Sequence, residues 1–160
     1  ASLVGYFPDS TFAIYRRPNV HDPIRIGQLT IRFLIDRSDS KDSMALFELT
    51  VPPGAKVPAP HYHSNWDETV YGLEGSMSWT LSGDVTELAA GGHLFIPRGA
   101  VHHFINRSEA LARALVMIAP GVLGSEYFRD LAALMAAGSP PDLARVGEVM
   151  ARHGLVPVPG

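Results

Sequence analysis

Hydrophobic and polar positions alternate in short runs between residues 24 and 119, then switch to helical spacing after residue 120. Residues 28–35 (Gln-Leu-Thr-Ile-Arg-Phe-Leu-Ile) alternate as a strand, and so do residues 44–51, closed by Pro52-Pro53-Gly54. Asp36 to Ser43 reads as a polar loop. Residues 67–74 and 76–82 predict a hairpin turning at Glu74-Gly75, with Ser82-Gly83-Asp84 ending its second arm. Short strands follow at 85–88 and at 93–96, the latter between Gly91-Gly92 and Pro97-Arg98-Gly99. Residues 101–105 and 112–118 complete the pattern. Many short strands at regular spacing predict a mainly all-β sandwich or barrel.

Two stretches flank this region. Residues 1–23 carry Leu3, Val4, Tyr6, Phe7, Phe12, Ile14 and Tyr15, too apolar for a free tail. They are expected to cover a sheet edge or a partner subunit. After Pro120-Gly121, residues 125–137 place Phe128, Leu131, Leu134 and Met135 on one helical stripe, with Gly138 as a C-cap. Pro140-Pro141-Asp142 opens a second helix with Leu143, Val146, Val149 and Met150 on one face, ended by Gly154. Both stripes read as packing faces, which puts two short helices on the outside of the β structure. The expected organisation is an arm at 1–23, a barrel at 24–119 and a helical extension at 120–160, together one domain.

Bulk properties narrow the function. A chain of 160 residues fits one domain. Net charge is −3 and the cations are scattered, so no basic face for nucleic acid is expected. The absence of cysteine excludes disulfides, a thiol nucleophile and thiolate ligands, and fits a cytoplasmic protein. A start at Ala1 is equally compatible with a removed signal peptide. No apolar run approaches the ~20 residues of a membrane span.

The chemistry concentrates in four residues. His61 and His63 are two apart, and on a strand such residues point to one face. Glu68 adds a carboxylate, and His102 can come from a neighbouring strand of the same sheet. Three neutral imidazoles and one carboxylate suit iron, manganese, nickel, copper or zinc. His103 falls on the opposite strand face from His102. His93 is expected outside the pocket, and Asn106 as a turn-holder. Gly72, Gly75 and Gly99 read as turn or close-approach positions. Val70 and Gly72 share a face with Glu68, and Phe104 shares one with His102. Met77, Trp79 and Leu81 alternate with Ser78 and Thr80, and parity leaves open which set lines the cavity. Few charged residues besides the ligands point inward, which favours a neutral or aromatic substrate.

Spacing sharpens the picture. One block runs Gly54, six residues, His61-Tyr62-His63, four residues, Glu68, six residues, Gly75. The other runs Gly91, five residues, Pro97-Arg98-Gly99, two residues, His102, three residues, Asn106. These resemble the two motifs of the cupin superfamily, with one extra residue in the loop between Gly54 and His61. The resemblance implies a jelly-roll barrel and one divalent transition metal per chain (iron, manganese, nickel, copper, cobalt or zinc). It carries the ligand role onto His61, His63, Glu68 and His102. Within the superfamily the chain is similar to single-domain cupins related to quercetinase. The likeness lies in Asp67-Glu68-Thr69-Val70-Tyr71, Leu73-Glu74-Gly75, Phe95-Ile96-Pro97-Arg98-Gly99, and Ala119-Pro120-Gly121 before a helix with Glu126, Tyr127 and Phe128. That implies a metal-dependent dioxygenase acting on a flavonol-like or other small enolisable substrate, with dioxygen as co-substrate and Glu68 as the base. A non-oxidative isomerase, lyase or cyclase using the same metal is the alternative, and a non-catalytic small-molecule-binding module the third reading. Cupins commonly dimerise, and a homodimer is expected.

Overall fold

The computed structural model describes residues 21–57, 59–136 and 142–158. In chain order the strands are β1 (Ile24–Ile26), β2 (Leu29–Ile35), β3 (Ala45–Val51), β4 (His61–His63), β5 (Asp67–Glu74), β6 (Ser76–Leu81), β7 (Asp84–Ala89), β8 (His93–Ile96), β9 (His102–Ile105), β10 (Ala112–Ala119) and β11 (Leu155–Pro157). A one-turn helix α1 (Arg37–Ser40) follows β2, and α2 (Ser125–Ala136) and α3 (Leu143–Arg152) follow β10. One sheet has the order β1-β2-β3-β10-β5-β8 and the other β11-β4-β9-β6-β7. All pairings are antiparallel. The two sheets form a jelly roll with the core between them.

Alternation in the strands builds that core. In β3 and β10 every second residue is buried: Ala45, Phe47, Leu49 and Val51 on one, Ala112, Ala114, Val116 and Ile118 on the other. Across the pair each alanine faces a larger residue, Ala112 with Val51, Ala114 with Leu49 and Ala45 with Ile118. Phe33, Phe47 and Phe128 form an aromatic cluster with ring centres 5.2–5.6 Å apart. Phe128 brings α2 into it, so the packing stripe expected on that helix docks against the barrel's interior residues.

The structure corrects three local expectations. Residues 67–74 and 76–82 are strands but not a hairpin: β5 and β6 belong to different sheets. The hairpin is β6–β7, turning at Ser82-Gly83. Gly75 is the crossing point, with φ +63°, and its carbonyl accepts from Ala90 N. The polar stretch 36–43 contains α1, stabilised by a capping box of Asp36 and Asp39. Asp36 reaches further, accepting from the N–H of Ser125 (3.1 Å) and from its hydroxyl. One buried carboxylate therefore caps α1 and ties the first residue of α2 to the barrel. Finally, β1 and β11 lengthen the two sheets beyond the expected strands. Asp142 caps α3 by accepting from Ala144 N, and Gly154 follows it with φ +84°. The arm expected at 1–23, apart from its last three residues, and the C-cap and prolines expected at 138–141 lie outside the described residues.

The glycines of the two sequence blocks meet each other. Gly72 N donates to Gly92 O, and Gly91 N donates to Gly72 O, both at 2.9 Å. Gly54 N donates to Asn106 O at 2.8 Å, and Asn106 N to Ala55 O at 2.9 Å. The Asn106 amide donates to Val51 O and Ala110 O, both at 2.8 Å, as a turn-holder should. A Cβ at Gly72 would overlap the carbonyl of Ala89, while one at Gly147 within α3 would make ordinary contact with Pro157 at 3.7 Å. Gly72→Ala is therefore expected to destabilise by about 2 kcal/mol. Gly147→Ala should stabilise by about 0.5–1 kcal/mol through helix propensity. Urea unfolding of both variants checks the opposite signs.

Candidate metal centre

Three of the four predicted residues, His63, Glu68 and His102, converge from both sheets, and His61 lies beside them without joining their cluster. His61 and His63 lie two apart on β4 and are both buried. His102 on β9 is the register partner of His61, so the expected neighbouring-strand placement holds. Glu68 comes from β5 in the opposite sheet. Ligand atoms of His63, Glu68 and His102 all lie within 4.8 Å of one another. His63 Nε2 is 3.3 Å from Glu68 Oε2, and His102 Nε2 is 3.8 Å from the same oxygen. His61 lines the same cavity, its ring centre 4.5 Å from that of His102 and 6.3 Å from that of His63.

Each imidazole is oriented from behind by a backbone carbonyl. His61 Nδ1 meets Ala59 O at 3.0 Å, His63 Nδ1 meets Trp66 O at 2.9 Å, and His102 Nδ1 meets Ala100 O at 3.0 Å. A carbonyl only accepts, so each Nδ1 carries a proton, and in the neutral ring Nε2 keeps the lone pair that a metal needs. This is the outer arrangement that fixes metal-binding histidines. Lone pairs at His63 and His102 then face an acceptor oxygen of Glu68. Two acceptors at such distances need a positive charge between them, either a proton on the imidazole or a cation. The donor set therefore fits a divalent transition metal, with one carboxylate offsetting its charge.

Burial tunes these groups. It pushes the His61 imidazole down to about 4, with the neighbouring His102 adding to the effect, so His61 is neutral at physiological pH. Burial also lowers His102, against the pull of Glu68. Burial alone would raise the Glu68 carboxyl, but its contact with His63 and the charges of His102 and His63 outweigh this and hold it below its ordinary value.

Neighbouring residues brace the ligands. Trp66, 1% exposed, stacks on His63 with ring centres 4.7 Å apart and planes 17° apart. Gly99 N donates to His63 O at 2.7 Å. Arg98 grips Asp67 with two side-chain bonds and its backbone N–H (2.8–3.1 Å), fastening the Pro97-Arg98-Gly99 turn beside Glu68. Sequence reasoning did not single out Trp66; its only signal was a large aromatic three residues after His63.

The ligands open into a narrow cavity of about 80 Å³ between the sheets. Register settles which parity set faces it: Trp79 pairs with Phe104 and Leu81 with His102, and Trp79 and Phe104 both line the wall. His103 sits on the other face of β9, and His93 is exposed on the outer face of β8, as expected. Tyr127, Phe128 and Leu131 of α2 also line the cavity. The stripe was legible as packing, but nothing in its spacing said that it faces the metal-side interior, and Tyr127 was not on it. No lysine or arginine lines this cavity among the described residues. No helix among them is long and apolar enough to cross a membrane.

Comparison with known proteins agrees with this geometry. Residues 47–118 match the model of the cupin domain (Cupin_2). The polyketide cyclase RemF from Streptomyces resistomycificus superposes with a TM-score of 0.53 and 36% identity, covering 59% of this chain and 66% of that one. A sugar phosphate isomerase of the cupin superfamily from Silicibacter pomeroyi gives 0.52 and 25% over 59% of this chain and 60% of that one. The tetracenomycin polyketide synthase protein TcmJ of Streptomyces glaucescens is 32% identical over 96 residues, 60% of this chain and 64% of that protein. The chain spans about three fifths of the length of the curated relatives it matches. The chain thus resembles the cupin domain over residues 47–118 and shares the jelly-roll fold of these neighbours.

Metal titration of chelator-treated protein is expected to reach one divalent ion per chain. His63→Ala and His102→Ala should each weaken that binding by at least about 10-fold, a lower bound taken from the loss of outer supporting groups alone. Calorimetry with zinc and elemental analysis check both.

Proposed function

We propose that this chain is a metal-dependent cupin enzyme. It holds one divalent transition metal through His61, His63, Glu68 and His102, and acts as an isomerase, lyase or cyclase on a neutral, enolisable, aromatic substrate. The observation that carries the substrate class is the cavity wall. Ile31, Phe47, Leu49, Phe104, Val116 and Ile118 surround the histidines, and among the described residues no lysine or arginine lines the wall to hold a phosphate or sugar acid. The likeness to the polyketide cyclase and to the polyketide synthase protein supports the same substrate class. The sugar phosphate isomerase shares the fold.

A divalent metal at such a site supplies Lewis acidity that stabilises an enolate or phenolate. The chain's own contribution is proton handling and exclusion of water. Glu68 Oε2 is the basic atom nearest the two histidines and accepts the proton leaving the substrate's carbon or hydroxyl. The apolar walls keep bulk water from competing for it. A flavonol-type dioxygenase would start from the same deprotonation and then consume oxygen. That reading rests on sequence resemblance to quercetinase-related cupins alone.

An oxygen electrode separates the two readings. Turnover of an enolisable aromatic substrate should proceed at equal rates in air and under nitrogen, with no oxygen uptake; stoichiometric uptake would favour the dioxygenase. Glu68→Gln should retain metal by elemental analysis yet lose about 100- to 10,000-fold in turnover per bound metal.

The outer face of the six-stranded sheet supports a homodimer, which we include in the proposal. Leu34, Tyr71 and Phe95 are 41–56% exposed there, with half-buried Leu46, Leu115 and Met117 between them. An apolar face of this kind marks an interaction surface. Light scattering at micromolar concentration should give twice the 17.3 kDa chain mass. Tyr71→Glu with Phe95→Glu should return it to one chain.

A further inference from the structure

We propose that Tyr127 is a substrate-binding residue, its hydroxyl donating a hydrogen bond to a substrate oxygen that does not face the three histidines. This rests on the aromatic-substrate reading above and deepens it. Tyr127 is 5% exposed and lines the same cavity as Glu68. Its hydroxyl makes no hydrogen bond among the described residues and is not among their fully enclosed polar atoms, so it is open to a partner in the cavity that the residue lines. Packing gives no reason for the oxygen. The adjacent wall residues Phe128 and Leu131 close the cavity without a polar atom, and a phenylalanine would fill the same space.

The ring is held in place on two sides. It meets Phe128 edge-on at 4.9 Å and His153 at 5.5 Å. His153 is itself anchored to Asp130 of α2 at 2.8 Å. The hydroxyl therefore cannot easily swing out to solvent for a partner. Burial, and then the charge of Glu68, push the phenol well above its ordinary value, so it remains a protonated donor. A donor in the same apolar cavity as a chelating cluster recognises a molecule with an acceptor beyond its chelating pair. Aromatic hydroxyketones have that layout.

The test uses zinc-loaded full-length protein and small chelating phenols. The parent is 2-hydroxyacetophenone; the three comparison ligands are the dihydroxyacetophenones with a second hydroxyl at ring position 4, 5 or 6. Calorimetry should show at least one of them binding wild type about tenfold more tightly than the parent, the scale of one hydrogen bond. Tyr127→Phe should abolish that preference while leaving parent affinity, zinc stoichiometry and melting temperature unchanged. A merely structural role would shift all ligands together. Preference retained in Tyr127→Phe, or no preference for any isomer in wild type, overturns the inference whatever the variant's stability. If zinc binds and none of the four phenols does, the aromatic-substrate reading itself fails and this inference falls with it.

Discussion

Three imidazole N–H groups held by three backbone carbonyls are the constraint on which the site depends. In water such a group finds many partners; between two apolar sheets it finds only what the fold supplies. Ala59, Trp66 and Ala100 each present a carbonyl to one Nδ1. That leaves three lone pairs aimed inward near one carboxylate. Replacing the carbonyl contacts by solvent would free the rings to rotate and remove the reason for the lone pairs to converge. The surrounding features serve this arrangement. The His61–His102 register aligns two strands, Trp66 backs His63, and the Arg98–Asp67 clamp fixes the turn leading to His102 beside the strand carrying Glu68.

Spacing made the ligand set legible because the two motifs encode local geometry. An i, i+2 pair on a strand has one face available, and the flanking glycines are forced by backbone contacts. Gly72 lies against the backbone of Ala89, and Gly75 turns with φ +63° against Leu111. The two motifs hydrogen-bond to one another across the chain, Gly54 to Asn106 and Gly99 to His63, so their fixed spacing reflects one packed junction. The apolar character of the cavity was legible for a similar reason: alternation around Trp79 and Phe104 offered no inward charge.

What was not legible depends on partners distant in sequence. The stretch 67–82 has the pattern of a hairpin because two strands meet at a glycine. Which sheet each strand joins is decided by β8, β9 and β10, and no local residue announces it. The capping box at Asp36 was present in the sequence, but four polar residues carry no hydrophobic period, so α1 read as loop. β1 and β11 are three residues each, too short for alternation to register. β11 pairs with β4, the strand of the two histidines, across a separation that no pattern rule spans.

Helix α2 shows how one element can hold two roles that sequence periodicity cannot separate. Its buried face stabilises the barrel through Phe128, and the same face forms part of the cavity wall. Asp36 fixes where that face begins, since its carboxylate receives the first N–H and hydroxyl of the helix while also capping α1. A buried carboxylate with all these donors is tightly specified, because losing any one leaves charge uncompensated in the interior. The proposed metal ligands, by contrast, come entirely from β4, β5 and β9. Helix α2 therefore adds to the cavity wall without supplying a proposed ligand. Substitutions on α2 can reshape what the cavity accepts without touching a ligand, as long as the Asp36 anchor keeps the helix in register. One fold can carry different chemistries in this way, because a change confined to the wall leaves the strands that frame the site in place.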